Sequence, residues 1–163
     1  MLVSIKFDYY SYIYHCLKRY LTKYKQVDKI EHIGIAVKDL DVSNTLFEKF
    51  FGVSHYKIEE VASEGVRTSF FKSGPNKIEL LEATKGDSAI AKFIERKGEG
   101  VHHIAFAVTD IRQEIARLKN EGFTVLNEEP KKGADNKWVA FLHPKTTNGV
   151  LIELCQEMNT NEG

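Results

Sequence analysis

Between residues 29 and 157 the apolar positions switch repeatedly between a period of two and a period near 3.6. The period-two runs read as strands. They are HYKIEEV (55–61), VRTSFFK (66–72), KIELLEA (77–83), FTVLNEE (123–129), KWVAFLH (137–143) and VLIELCQ (150–156), together with the β-rich stretches around residues 30–37 and 101–108. Leu46, Phe47, Phe50 and Phe51 follow Asp39 or Asp41 and stop at Gly52, which predicts a helix. Ile111, Ile115 and Leu118 follow Asp110 and stop at Gly122, which predicts a second. A third, shorter helix starts at Asp87 or Ser88, buries Ile90, Phe93 and Ile94, and closes at Lys97-Gly98.

The order of these elements repeats. HIGIAVKDL (32–40) lies over HIAFAVTDI (103–111) with five of nine positions identical. Each half reads βαβββ. The expected fold is α+β: paired βαβββ modules, residues 29–85 and 99–157, forming one curved mixed sheet with helices on its outer face. Residues 86–98 form the linker helix. Neither half is large enough to close a core alone, so the two complete each other.

The first 28 residues break the pattern. Tyr10, Ile13, Tyr14, Leu17, Tyr20, Leu21 and Tyr24 recur at steps of three and four, which predicts an amphipathic helical extension over 1–28 that packs on the domain or on a second copy. The stretch lacks the apolar core and small-residue cleavage site of a secretory signal. Residues 158–163 read as a tail.

Charge and cysteine content then narrow the function. Lys and Arg number 23 and Asp and Glu 23, so no broad basic field points to nucleic acid. Two distant cysteines, Cys16 and Cys155, make no disulfide framework, and the cytoplasm is the expected compartment. No run approaches the roughly 18 apolar residues of a membrane span.

The chemistry sits on the repeat. Strict alternation puts Ile30, His32, Gly34 and Ala36 on one face of the first strand, and Val101, His103, Ala105 and Ala107 on one face of its equivalent. His103 is the partner of His32. Glu31 and His102 alternate onto the other, helix-packed face. The small residues beyond each histidine suggest the open concave side of a cup. Each half also ends on Ile-Glu-Leu, which makes Glu79 and Glu153 equivalent and turns both toward the histidines. A carboxylate in the middle of an apolar strand is costly unless it is paired or binds a metal. Two imidazoles and two carboxylates suit one divalent ion, with Zn, Co, Ni and Mn as candidates, and leave positions open for substrate.

This pattern resembles the vicinal oxygen chelate superfamily and, within it, the family of methylmalonyl-CoA epimerases. The stretches that carry the resemblance are EHIGIAVKDL, KIELLE, DSAIAKFI, GVHHIAFAV and FLHPKTTNGVLIEL, within residues 29–157. The resemblance implies metal ligands at His32, Glu79, His103 and Glu153. It implies interconversion of the 2R and 2S forms of an acyl-CoA, methylmalonyl-CoA, through a metal-stabilised enolate, with Glu153 as the proton-carrying carboxylate. A homodimer is the expected assembly. Glyoxalase I enzymes share a nearly identical ligand set, so a lactoylglutathione lyase is the alternative, followed by a small-molecule-sequestering protein of the superfamily. The chain departs from the pattern at Thr68, where some epimerases carry a glutamate base. Arg67 and Lys145 are the cations considered for the CoA phosphates, and Glu64 is a turn glutamate near the site.

Overall fold

The structure is a computed structural model and describes residues 13, 14 and 27–158. The expected N-terminal extension falls outside the described residues except for Ile13, Tyr14, Val27 and Asp28. The last two already belong to the first strand.

Among the described residues, eight strands form one sheet in the order β2-β3-β4-β1-β5-β8-β7-β6. The first module supplies β1 (Val27–Val37), β2 (Lys57–Val61), β3 (Val66–Ser73) and β4 (Asn76–Ala83). The second supplies β5 (Gly100–Val108), β6 (Lys131–Lys132), β7 (Lys137–Leu142) and β8 (Leu151–Glu157). Within each module the first strand runs parallel to the last, β1 with β4 and β5 with β8. The modules meet where β1 and β5 pair antiparallel at the centre of the sheet. The expected βαβββ duplication is therefore what the chain forms.

One predicted strand is largely missing. Of residues 123–129 only Val125 makes a bridge, to Leu142, and regular pairing waits until Lys131. Pro130 offers no amide to a ladder, and the Glu128 and Glu129 side chains lie in solvent at 84% and 78% exposure. Phe123 and Val125 still pack on the core, which accounts for the alternation in the sequence.

Helix α1 (Leu40–Phe51) is capped by Asp39, whose side chain accepts from the Asp41 and Val42 amides, and it ends at left-handed Gly52. Helix α3 (Ile111–Asn120) is capped by Asp110, which accepts from the Gln113 amide. The repeat extends to the helix starts. Glu82 on β4 accepts the Leu40 N–H, and its counterpart Gln156 on β8 accepts the Ile111 N–H. Both helices cover the convex face. Leu40 packs with Val37, Phe71 and Leu80, while Ile111, Ile115 and Leu118 pack with Val108, Ala140, Leu142 and Leu154.

Helix α2 (Ala89–Lys97), capped by Ser88, lies on the other face. Its Ile90 packs on Ala36, Val66 and Leu81, residues that share the concave side with His32. This corrects the expectation that the small residues line a cup. Ala36 is sealed under α2, and Ala105 is sealed by Val139 and Cys155. Gly34 faces the ring of His103, into which any Cβ would project. Gly34, Ala36 and Ala105 make room for packed protein, and the cavity opens elsewhere on the same face.

Candidate functional site

The four predicted residues converge at the seam. His32 on β1 and His103 on β5 bring their Nε2 atoms 2.9 Å apart. Glu79 Oε2 on β4 lies 3.2 Å from His32 Nε2 and 3.5 Å from His103 Nε2. Glu153 Oε2 on β8 lies 3.1 Å from His103 Nε2 and 3.8 Å from His32 Nε2. All four are buried. His32, His103 and Glu153 each offer a ligand atom within 4.8 Å of the others, a spacing that one cation can bridge, and Glu79 faces both histidines. The donor set of two imidazoles and two carboxylates fits a divalent ion of borderline hardness.

The charges explain why these groups tolerate burial. Desolvation alone would lower the His32 pKa. Hydrogen bonds to Glu31 and Glu79 and the charges of Glu79 and Glu153 outweigh it and raise the value to about 10. Burial opposes the charged form of His103 too, yet Glu153 and Glu79 raise it to about 9. Burial pushes Glu79 up, but the two histidines hold it well below the usual carboxylate range. The cluster thus sets each histidine against carboxylates of opposite charge.

Strict alternation misplaces two residues. The pairing of β1 with β5 skips at Glu31, between the partners Ile30–Phe106 and His32–Ala105. It skips again at His102, between Gly34–His103 and Ile35–Val101. Each is the extra residue of a bulge, and a bulge turns two successive side chains toward one side. Glu31 and His102 therefore line the same cavity as the histidines that follow them. Glu31 Oε2 sits 2.5 Å from His32 Nδ1. His102 Nδ1 sits 3.0 Å from His103 Nδ1, with its ring edge-on to Phe93 of α2. Burial, reinforced by the charge of His103, lowers the His102 pKa to about 4, so its ring is neutral near pH 7. A signal for this exists in the sequence. Two polar residues precede the two histidines at the same offset.

The cavity holds about 340 Å3 and is lined by residues of both modules. Thr68 is fully buried, and its hydroxyl lies 2.9 Å from Glu79 Oε1 and 2.8 Å from the Leu80 carbonyl, either of which can accept its one hydrogen. Glu64 is half exposed and pairs with Lys131 across the opening at 2.6 Å. Lys131, Lys132 and Lys137 are the cations in the lining. Arg67 is not among them, because it faces Asp41 and Glu82 on the convex side. Lys145 lies in the short 3-10 turn Pro144–Thr146, outside the lining. Cys155 is buried beneath the site, and burial raises its thiol pKa far above the usual range. Among the described residues no helix is long and apolar enough to cross a membrane.

Comparison with known proteins points the same way. Residues 31–141 match the family profile of the glyoxalase/bleomycin resistance protein/dioxygenase superfamily. The chain is 37% identical over 129 residues to the mitochondrial methylmalonyl-CoA epimerase of Homo sapiens, covering 78% of this chain and 73% of that protein. It is 39% identical over 132 residues to the ethylmalonyl-CoA/methylmalonyl-CoA epimerase of Cereibacter sphaeroides, covering 80% and 98%. Among solved structures it is similar to a variant of the Streptomyces coelicolor methylmalonyl-CoA epimerase in complex with 2-nitronate-propionyl-CoA. There the TM-score is 0.78 and the identity 37%, covering 80% of this chain and 95% of that one.

Proposed function

Since the chain belongs to the glyoxalase/bleomycin resistance protein/dioxygenase superfamily, in its methylmalonyl-CoA epimerase family, we propose that it epimerises the 2-position of methylmalonyl-CoA. The observation that carries this reading is the convergence of His32, Glu79, His103 and Glu153 at the floor of a cavity of acyl-group size. In the proposal these four residues hold one divalent ion. When bound, that ion supplies a Lewis acid that draws negative charge onto the thioester oxygen.

The chain's own residues do the rest. The α C–H bond breaks, its electron pair enters the thioester as an enolate, and a carboxylate takes the proton. A second acid on the opposite face gives its own proton to the α-carbon, which completes the inversion and leaves the first carboxylate to lose its proton to solvent. We assign the proton-carrying role to Glu153. The Thr68 hydroxyl can donate to the second oxygen of Glu79, in competition with the Leu80 carbonyl, whereas Glu153 accepts no hydroxyl hydrogen bond among the described residues. Thr68 has no carboxylate to serve as a base, and its place beside Glu79 gives it a holding role. Lys131 and Lys132 at the opening are better placed than Arg67 or Lys145 to meet the phosphates of an acyl-CoA. A homodimer remains part of the proposal. On the outer side of α1, Val42, Leu46 and Phe50 form a stripe at 67%, 63% and 77% exposure, an apolar surface of the kind that partners cover.

The test is solvent exchange. Metal-loaded protein in D2O is expected to place deuterium at the α-carbon of methylmalonyl-CoA, and Glu153→Gln to slow this by at least about a hundredfold, the usual scale of acid–base catalysis. No exchange by the wild type, together with isomerisation of a methylglyoxal–glutathione hemithioacetal, would replace this reading with the lyase.

A further inference from the structure

The pseudo-two-fold that relates the halves fails one bond behind the histidines. Glu31 and His102 are equivalent, each the extra residue of a bulge, each touching Nδ1 of the histidine that follows. One is a carboxylate and the other an imidazole. An ionised carboxylate only accepts, so the contact at 2.5 Å requires His32 Nδ1 to carry the hydrogen and leaves Nε2 for the cluster. The contact between His102 and His103 joins two nitrogens that can each donate or accept, so it imposes no such choice.

Glu31 is in turn held from outside the seam. Its Oε1 takes an ion pair from Lys77 on β4, and Lys137 on β7 stands 3.6 Å away. Lys77 also binds Asp135 at 2.6 Å. Asp135 belongs to the turn between β6 and β7, where it and Asn136 both adopt positive φ. That turn lines the cavity and is strapped onto the first module, because the Asp135 amide donates to Glu59 and its carboxylate also meets Lys57 at 3.4 Å. The second module thus reaches across the cavity and grips the residue that orients the first module's histidine.

The geometry points to Glu31 as a positioning residue for His32, held in place by Lys77 and the Asp135 turn. This rests on the metal-binding part of the proposed function and is independent of the substrate. A carboxylate behind a ligating imidazole fixes the ring and makes it a better donor, and losing such a partner commonly weakens metal affinity about 10- to 100-fold. Asp135 contacts none of the four ligands, and its ion pair with Lys77 is the contact that leads from it to Glu31 and His32.

The experiment measures cobalt(II) affinity by competition with a chelator, on purified full-length chains whose folding is checked by circular dichroism. Glu31→Gln is expected to weaken affinity about tenfold or more. Asp135→Asn should weaken it less but measurably, and combining the two should add nothing beyond Glu31→Gln. Glu128→Gln, which breaks an exposed pair with Lys119 outside the cavity lining, should leave it unchanged. The nitrogen-15 spectrum of the zinc-loaded wild type should show His32 protonated at Nδ1. A His32 bound through Nδ1, or a folded Glu31→Gln chain within twofold of wild type, overturns the assignment. Additive losses in the double variant overturn the link to the turn. If wild type fails to bind cobalt tightly, the metal reading itself falls. If it binds as expected but exchanges no α-proton, only the substrate assignment falls.

Discussion

Gly34→Ala tests the site through a single methyl group. Gly34 pairs with His103 across the seam, and a Cβ there would lie 2.5 Å from His103 Nδ1 and 2.6 Å from Nε2. The ring cannot slide away at low cost. It is 3% exposed and hemmed by His102, Phe141, Glu79 and Glu153. Either the two central strands separate, or His103 leaves the cluster. Overpacking of this kind costs about 1–3 kcal/mol of folding stability. The loss in metal binding is larger, because one of the four donors is displaced. The assay is thermal unfolding with and without a divalent ion. An ion at a hundred times its dissociation constant stabilises by about 2.7 kcal/mol. At about 2–4 °C per kcal/mol for a chain of this size, wild type should gain about 5–10 °C. Gly34→Ala should unfold earlier in chelator and gain almost nothing from the ion. A variant that retains the full metal-induced rise would refute the claim that glycine is there to seat His103.

The remaining predictions concern ligands, protons and caps. His103→Ala should abolish tight metal binding. His102→Ala should weaken it only modestly, because His102 supports the ring without facing the cluster, and equal losses in chelator competition would contradict that division. Metal affinity should rise with pH. His32 and His103 are raised to about 10 and about 9, and the 2.9 Å contact between their Nε2 atoms holds one hydrogen, so binding near neutrality must displace at least one proton and affinity should climb by about a decade or more per pH unit before flattening. Affinity independent of pH between about 6.5 and 8.5 would argue against the charged cluster. Burial opposes the charged form of Asp135, but Lys77 and Lys57 overcome this and depress its pKa, so its contribution to folding is present above the ordinary aspartate range and is lost as pH falls through the depressed value. Asp135→Asn should therefore flatten the acid limb of a stability–pH profile, read by urea unfolding. Asp39→Ala should cost about 1 kcal/mol of stability by uncapping α1 and leave metal affinity unchanged.

Most of the fold is legible in the sequence because its signals are local. Asp39 and Asp110 announce the helix starts, Gly52 ends α1, and the matched histidine-bearing strands announce the duplication. The four converging residues are legible for the same reason, since the repeat turns separate ambiguous residues into one constraint. The errors come where pairing between distant strands decides the outcome. Strict alternation sends Glu31 and His102 to the helix-packed face, and nothing in either strand alone reveals the two skipped registers that bring them back. The small residues look like open space because the sequence does not show that α2 and Val139 fill it. The strap from Asp135 to Lys77 joins residues 58 positions apart through a turn with positive φ, which alternation does not address.

The paired bulges bear on inheritance. A chain with one βαβββ unit, assembling as two identical copies, would place the same residue behind both histidines. Changing one would change the other, so Glu31 could not coexist with His102. Joining two units into one polypeptide removes that constraint and lets the two supports mutate separately. The difference between residues 31 and 102 is therefore one that a symmetric pair of identical units could not hold.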